Sequence, residues 1–258
     1  MNRSWHFGDL EFVVLWEKLT GDFLPHPFTF TSRTPLYDDF QREKYETSLR
    51  MRDGVDAALV RAFESLAHPD IRVAVHSWDA QDPERAGGWI RLLAGRRGDR
   101  GCLVAQLPGE TPRHSGGFTI IECHALVLAD AVVAALPEVN PGGRGDIPLS
   151  AAVENHDHSF GISPVAAPGD DAEEHVRAFL RARHDRIGII EIIQGESKFG
   201  PRGISAHRIE FRDLSDDGRY AVGHSAPWTA MSTDAARLKA IINTRIADIV
   251  RTIRDERC

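Results

Sequence analysis

The C-terminal third of the chain carries the sequence pattern that most constrains the fold. Residues 188–253 show a strand, a glycine-rich turn, a second strand, an Asp-Gly turn, a third strand and a long amphipathic helix. Residues 89–136 show a fainter version of the same succession, and both of the first turns end in Arg-Gly. The repeated pattern predicts an α+β fold that contains one strand-strand-strand-helix unit in two copies.

The first part of the chain adds three predicted helices and two predicted strands. Residues 10–19 are an apolar-rich helix, residues 34–51 a charged helix, and residues 55–66 a helix with a regular apolar stripe. Residues 28–32 follow two prolines and are predicted to form an edge strand. Residues 71–75 alternate apolar and other side chains, which predicts a strand with one buried face.

Composition and charge limit the class of protein. A chain of 258 residues with 42% hydrophobic residues can bury a full core. A net charge of -7 argues against broad binding to nucleic acid or to anionic membranes. Three cysteines without metal-ligand spacing fit a reducing compartment, and no apolar run has the length of a membrane span. We therefore expect a cytoplasmic protein that neither binds nucleic acid nor inserts into a membrane.

Regular periodicity disappears between residues 141 and 170, where glycine and proline are frequent. This stretch is the predicted linker within a single domain of residues 1–258. It would join an N-terminal half, residues 1–140, to a C-terminal half, residues 171–258.

His156, Asp157 and His158 form the local pattern closest to a metal site. Two histidines at i and i+2 of a strand share a face and can chelate a metal, with Asp157 or His124 as a third ligand. The alternative hypothesis is therefore a metal-dependent enzyme that uses His156 and His158, and hydrogen-bonded loop histidines are the competing explanation. Residues 195–200 fit neither a nucleophile elbow nor a phosphate-binding loop, because a strand rather than a helix follows them.

Charged residues at the turns allow two further interpretations. Four arginines would converge on an anionic ligand if the two glycine-rich turns are related by a twofold axis, although exposed arginines are also ordinary at hairpin tips. These are Arg96, Arg97, Arg100 and Arg202. Asp213 and Arg219 flank the Asp-Gly turn and are predicted to make a surface contact of little energetic weight.

Several motifs, in this order along the chain, resemble those of the EspG family, the cytosolic chaperones associated with ESX (type VII) secretion in actinobacteria. They are Phe12-x-x-x-Trp16-x-x-Leu19, Leu24-Pro-His-Pro-Phe28, Leu136-Pro137, the glycine-rich turn of residues 195–203, Arg212-Asp213 and Asp217-Gly218-Arg219-Tyr220.

The resemblance implies a central antiparallel β-sheet with quasi-twofold symmetry, flanked by helical bundles. It also implies a non-enzymatic chaperone, without cofactor or metal, that binds PE/PPE-type heterodimers and keeps these helical-hairpin substrates soluble for export. In the family the substrate tip is held by the C-terminal helical region and by the loop between the second and third strands. These segments look like residues 234–253 and 79–88 here.

The resemblance thus places the candidate partner-binding residues in one loop and one helix. The free protein is expected to be a monomer or a weak homodimer. The candidates are Asp79, Asp82, Glu84, Arg85 and Gly87 in the loop, and Leu238, Ile242, Arg245 and Ile249 on the helix. Charge reversal at Asp82, Glu84, Arg85 or Arg245 is expected to weaken partner binding without lowering thermal stability.

Overall fold

Ten strands form one antiparallel sheet in the computed structural model of the protein, which describes residues 3–149, 170–223 and 228–257. The strands are β1 (Ser4–Phe7), β2 (Ile71–Asp79), β3 (Ile90–Arg97), β4 (Arg100–Pro108), β5 (Ser115–His124), β6 (Ile147–Pro148), β7 (His184–Gln194), β8 (Ala206–Leu214), β9 (Gly218–Gly223) and β10 (Thr229–Ser232). The described helices are α1 (Asp9–Thr20), α2 (Tyr37–Arg50), α3 (Ala57–Ala67), α4 (Leu128–Ala134), α5 (Asp170–Arg181) and α6 (Ala235–Arg257).

The strand order is β1-β5-β4-β3-β2-β7-β8-β9-β10-β6, so β2 and β7 lie side by side at the centre. On one side β2 to β5 follow outward in chain order, and on the other side β7 to β10 do the same. A helix follows each series, α4 after β5 and α6 after β10. The predicted antiparallel α+β fold is confirmed. The sequence pattern had taken β3 and β7 as the equivalent first strands of the two copies. In the sheet these two strands are instead the neighbours of β2, one on each side.

Helices cover both faces of the sheet, and the buried apolar residues that the structure describes form three clusters, one on the face covered by α4 and α6 and two on the opposite face. On the face covered by α4 and α6, called the α4–α6 face, Val73 and Val75 of β2 pack with Leu238 and Ile242 of α6. On the opposite face, the α1–α3 face, Ala74 packs with the apolar residues of α1 and α3. The prediction that this strand buries one face is therefore corrected, because successive side chains of β2 enter two different cores.

The first helix is the best-predicted element. Its residues Phe12, Leu15 and Trp16 are buried, and Phe12 stacks on Phe118 of β5 with ring centroids 4.0 Å apart. The helix ends at Gly21, whose φ of 74° is left-handed and whose N–H donates to the carbonyl oxygen of Glu17.

The predicted edge strand at residues 28–32 does not form. Phe28 is buried against Phe12 and Phe118, while the backbone N–H and C=O of Thr29 bond the side-chain amide of Gln106 at 3.0 and 2.8 Å. A side chain thus takes the place of a neighbouring strand. The edge beside β5 belongs to β1, which was not predicted. The second helix begins at Tyr37, not residue 34, and the Thr34 hydroxyl bonds Glu43.

Candidate functional site

A row of alternating charges crosses the end of the sheet at which β2 stops, called the loop end. Asp79 of β2 pairs in register with Arg186 of β7, Arg186 with Asp213 of β8, and Asp213 with Arg219 of β9. Strand alternation directs all four side chains to the α4–α6 face. This charge row, Asp79-Arg186-Asp213-Arg219, places opposite charges on directly opposed positions of four neighbouring strands, which is a stabilising cross-strand arrangement.

The Asp213–Arg219 pair is buried, which corrects the predicted surface contact. The guanidinium of Arg219 donates to both carboxylate oxygens of Asp213, at 2.6 and 2.9 Å. The two residues are only 5% and 1% exposed. Arg219 also lies over the ring of Phe211. Removing one partner of a pair shielded from water in this way is costly, because the other charge is left buried and unpaired, whereas breaking an exposed pair costs little.

The central cation of the row joins the sheet to the loop between β2 and β3. Nη1 of Arg186 donates to the hydroxyl of Ser77, at 3.1 Å, and to the carbonyl oxygen of Gly88, at 2.8 Å. Burial lowers the pKa of Arg186, and the carboxylates of Asp213 and Asp79 oppose that effect by favouring the cation.

The loop itself, residues 80–89, closes around Asp79. The Asp79 carboxylate accepts hydrogen bonds from the backbone N–H groups of Gln81 and Asp82, at 2.8 and 3.2 Å. It also forms an ion pair with Arg85. The bond from Gln81 is the largest cause that lowers the pKa of Asp79. The indole N–H of Trp89 donates to the carbonyl oxygen of Pro83. Asp79 therefore supports the loop from inside.

The other loop candidates, Asp82, Glu84, Arg85 and Gly87, are all exposed. Gly88 is buried, and a Cβ added there would lie 2.8 Å from the Cβ of Asp79. The loop thus has a tightly packed base and a charged outer surface that is free to contact another molecule.

The candidates on α6 fall into two groups. Leu238, Ile242 and Ile249 are 0% exposed and pack against the sheet, so they form core and not a contact surface. Arg245 is exposed enough to reach solvent and bonds Asp248 at 3.2 Å. Burial is the largest cause that lowers the pKa of His207 on β8, and the nearby cation of Arg245 is the second. Arg245 therefore lies on the β8 side of the helix.

A cleft of about 420 Å³ at the other end of the sheet has a charged lining. A second cleft, beside the start of α6, was not predicted; seven of its lining residues are apolar, and Asp130, Glu138, Arg219 and Lys239 also line it. This second cleft, of about 380 Å³, lies between the end of α4 and the start of α6. Asp130 and Lys239 form an ion pair across its rim at 2.9 Å, and Arg219 of the charge row also lines it. Its apolar lining is Val133, Ala134, Leu136, Pro137, Val139, Ala235 and Ala236. We call this cavity the α4–α6 cleft; it lies between the helices of the α4–α6 face, at the same end of the sheet as the loop.

The metal hypothesis rests on residues that the structure does not describe, since His156, Asp157 and His158 lie outside the described ranges. Within the described ranges, no three His, Cys, Asp or Glu side chains are grouped so that they could hold a metal ion. His124 accepts a hydrogen bond from the backbone N–H of Leu126, and the thiol of Cys123 is buried.

The two turns that carry the arginines both lie at the other end of the sheet, where Ile71 pairs with both Arg96 and Gln194, and of the four arginines only Arg97 lines the depression there. The depression there is lined by Arg97, Lys198 and Arg257. It is equally lined by Asp70, Glu196 and Glu256. The Glu256 carboxylate is already engaged by the Ser197 hydroxyl at 2.8 Å. This mixed surface does not present the uniform positive charge that an anion site requires.

The fold has a counterpart among solved structures, the structure of the Mycobacterium tuberculosis type VII secretion system chaperone EspG5 in complex with a PE25–PPE41 dimer. The likeness covers 95% of this chain and 96% of that chain, with a TM-score of 0.53 and 14% sequence identity. The protein therefore has the fold of a type VII secretion chaperone.

Residues 9–244 match the model of the EspG family. The chain belongs to the EspG family, which confirms the resemblance inferred from its motifs. No curated protein sequence matches the chain. Among the helices of the described residues, none has both the length and the apolar character needed to span a bilayer.

Proposed function

We propose that this protein is a cytosolic, non-enzymatic chaperone that binds a PE/PPE-type heterodimer and keeps it soluble for type VII export. The observation that carries the proposal is that an exposed charged loop and a partly apolar cleft lie at the same end of the sheet and are linked by the charge row, in a chain with the EspG fold. A secreted helical hairpin exposes apolar residues at its tip, and covering them prevents aggregation.

The two parts of this surface would have different roles. The α4–α6 cleft supplies apolar contact, with Ala235 and Ala236 leaving room for a side chain of the partner. The exposed charges of Asp82, Glu84 and Arg85 supply electrostatic selection at the rim, which affects specificity more than affinity. Arg245, on the other flank of α6, lies outside this surface.

Co-expression with a PE/PPE pair, followed by size-exclusion chromatography with light scattering, tests the proposal. We expect a heterotrimer with one copy of each chain. Ala236→Trp should fill the cleft and weaken the complex by about tenfold or more, since it removes the apolar contact at the centre of the surface.

The matched control is Ala247→Trp, which places the same side chain on an exposed position of the same helix, about 16 Å further along α6 and outside the cleft lining. This variant should form the heterotrimer as the unmodified protein does. If Ala236→Trp forms the heterotrimer as well as the control does, the cleft is excluded as the contact surface. If the unmodified protein forms no heterotrimer, the chaperone function is excluded for the pair used.

A further inference from the structure

The loop between β2 and β3 is held at both of its ends by one side chain of β7. Ser77 precedes the loop and Gly88 lies at its exit, and both accept hydrogen bonds from Nη1 of Arg186, at 3.1 and 2.8 Å. Because a guanidinium is planar and its donors are fixed in direction, these two bonds define the separation of the loop ends.

The residues just before Arg186 hold the entry of the same loop. The backbone N–H of Ala80 donates to the carbonyl oxygen of Asp185 at 3.0 Å, and the side-chain amide of Gln81 donates to the carbonyl oxygen of His184. Arg183 in turn donates to the side-chain oxygen of Gln81 at 2.6 Å. The start of β7 therefore fixes the loop without any contribution from a partner.

The charge row extends from this loop base to the start of α6. The carbonyl oxygen of Arg219 accepts hydrogen bonds from the N–H groups of Gly142, at 3.1 Å, and Thr233, at 2.9 Å. Thr233 lies two residues before α6, and Gly142 follows the segment that lines the α4–α6 cleft. Arg186 thus lies in the middle of a continuous row that connects the loop to the cleft.

We propose that Arg186 is a positioning residue for partner recognition: it keeps the loop in one conformation, at a fixed place relative to the α4–α6 cleft, before a partner binds. The inference rests on the proposed chaperone function. A loop that is already ordered loses less conformational freedom on binding, so its order contributes to affinity without any direct contact.

The test is Arg186→Met, with two measurements on the full chain. In the free protein, hydrogen–deuterium exchange of the Gly88 and Trp89 amides should become about tenfold faster, because the base of the loop opens. In isothermal titration calorimetry with a purified PE/PPE pair, the dissociation constant should rise about tenfold. The lost binding free energy should appear as a less favourable entropy of binding. A residue needed only for folding would not shift the binding entropy of the protein that remains folded.

The matched control is Arg208→Met, which removes an exposed cation from β8, the strand next to β7, on the opposite face of the sheet and without a contact to the loop. It should leave both measurements unchanged. If Arg186→Met does not fold, Arg186→Lys carries the test, because an ammonium keeps the charge but cannot reproduce the geometry of the guanidinium; it should change both measurements in the same direction.

Two results would overturn the inference while leaving the chaperone function intact. One is unchanged exchange of the loop amides in Arg186→Met, and the other is unchanged affinity despite faster exchange. If the unmodified protein itself binds no PE/PPE pair, the proposed function fails and the role of Arg186 in it fails as well, so the two failures are told apart by the unmodified protein alone.

Discussion

Removal of the Asp213 carboxylate should destabilise the protein strongly, because it leaves a buried cation unpaired. In Asp213→Ala the guanidinium of Arg219, which is 1% exposed, loses both of its carboxylate bonds. Breaking a buried pair by removing one partner costs about 3–5 kcal/mol. That is a large part of the roughly 5–15 kcal/mol that stabilises a typical domain.

For a chain of this size each kcal/mol shifts the midpoint of thermal unfolding by about 2–4 °C, so the expected decrease is about 6–20 °C. Equilibrium unfolding in urea, followed by circular dichroism, gives the free energy directly. The control is Glu210→Ala on the same strand, which breaks the partly exposed pair with Arg212 and should cost about 1 kcal/mol or less.

The double variant Asp213→Leu with Arg219→Met separates the cost of an unpaired buried charge from the net contribution of the ion pair to stability. Replacing a buried ion pair by apolar side chains is often neutral or stabilising, so the double variant should be more stable than Asp213→Ala. A loss below about 1 kcal/mol in Asp213→Ala would refute the reasoning. It would mean that the ring of Phe211 and water satisfy Arg219 without the carboxylate.

Three further predictions concern the core, the loop surface and pH. Ile242→Ala should lower the free energy of unfolding by about 2–5 kcal/mol while the protein that remains folded binds its partner normally, since the side chain is 0% exposed; urea unfolding and titration check the two parts. The double charge reversal Asp82→Lys with Glu84→Lys should weaken partner binding but change the free energy of unfolding by only about 0.5 kcal/mol, since both side chains are exposed, and a larger loss would assign these residues to the scaffold. Burial, then the proximity of a second histidine, lowers the pKa of His76 below its ordinary value. The unfolded chain therefore binds the proton more readily, and stability should fall as the pH drops through about 6.5, with a smaller fall in His76→Gln.

The elements that the sequence predicts well are those whose signals are local. Gly21 ends α1 by its left-handed backbone, and the apolar stripe of α3 matches the helical period. The predicted strand at residues 28–32 fails because the partner of its backbone is the Gln106 side chain, 77 positions from Thr29. No local signal shows such a contact. β1 escaped prediction because four residues are too few to establish alternation.

The candidate site shows the same division. The loop was located by its length, its polarity and the family resemblance, and its exposed charges lie where they were expected. The charge row was not predicted, because its members come from four strands and meet only when the register of each pair is known. The sequence did connect Asp213 with Arg219 across a turn, but burial, which decides the energy of that contact, depends on the helices that cover the sheet.

The loop end of the sheet separates the residues that set the geometry of the site from those that would select the partner. Asp79, Arg186 and the Asp213–Arg219 pair lie beneath the surface and fix the place of the loop relative to the cleft. The exposed loop charges have no role in that support, apart from the ion pair of Arg85 with Asp79. Partner preference can therefore change by substitution at the loop surface with little loss of stability, whereas a change in the charge row would alter the position of every contact at once.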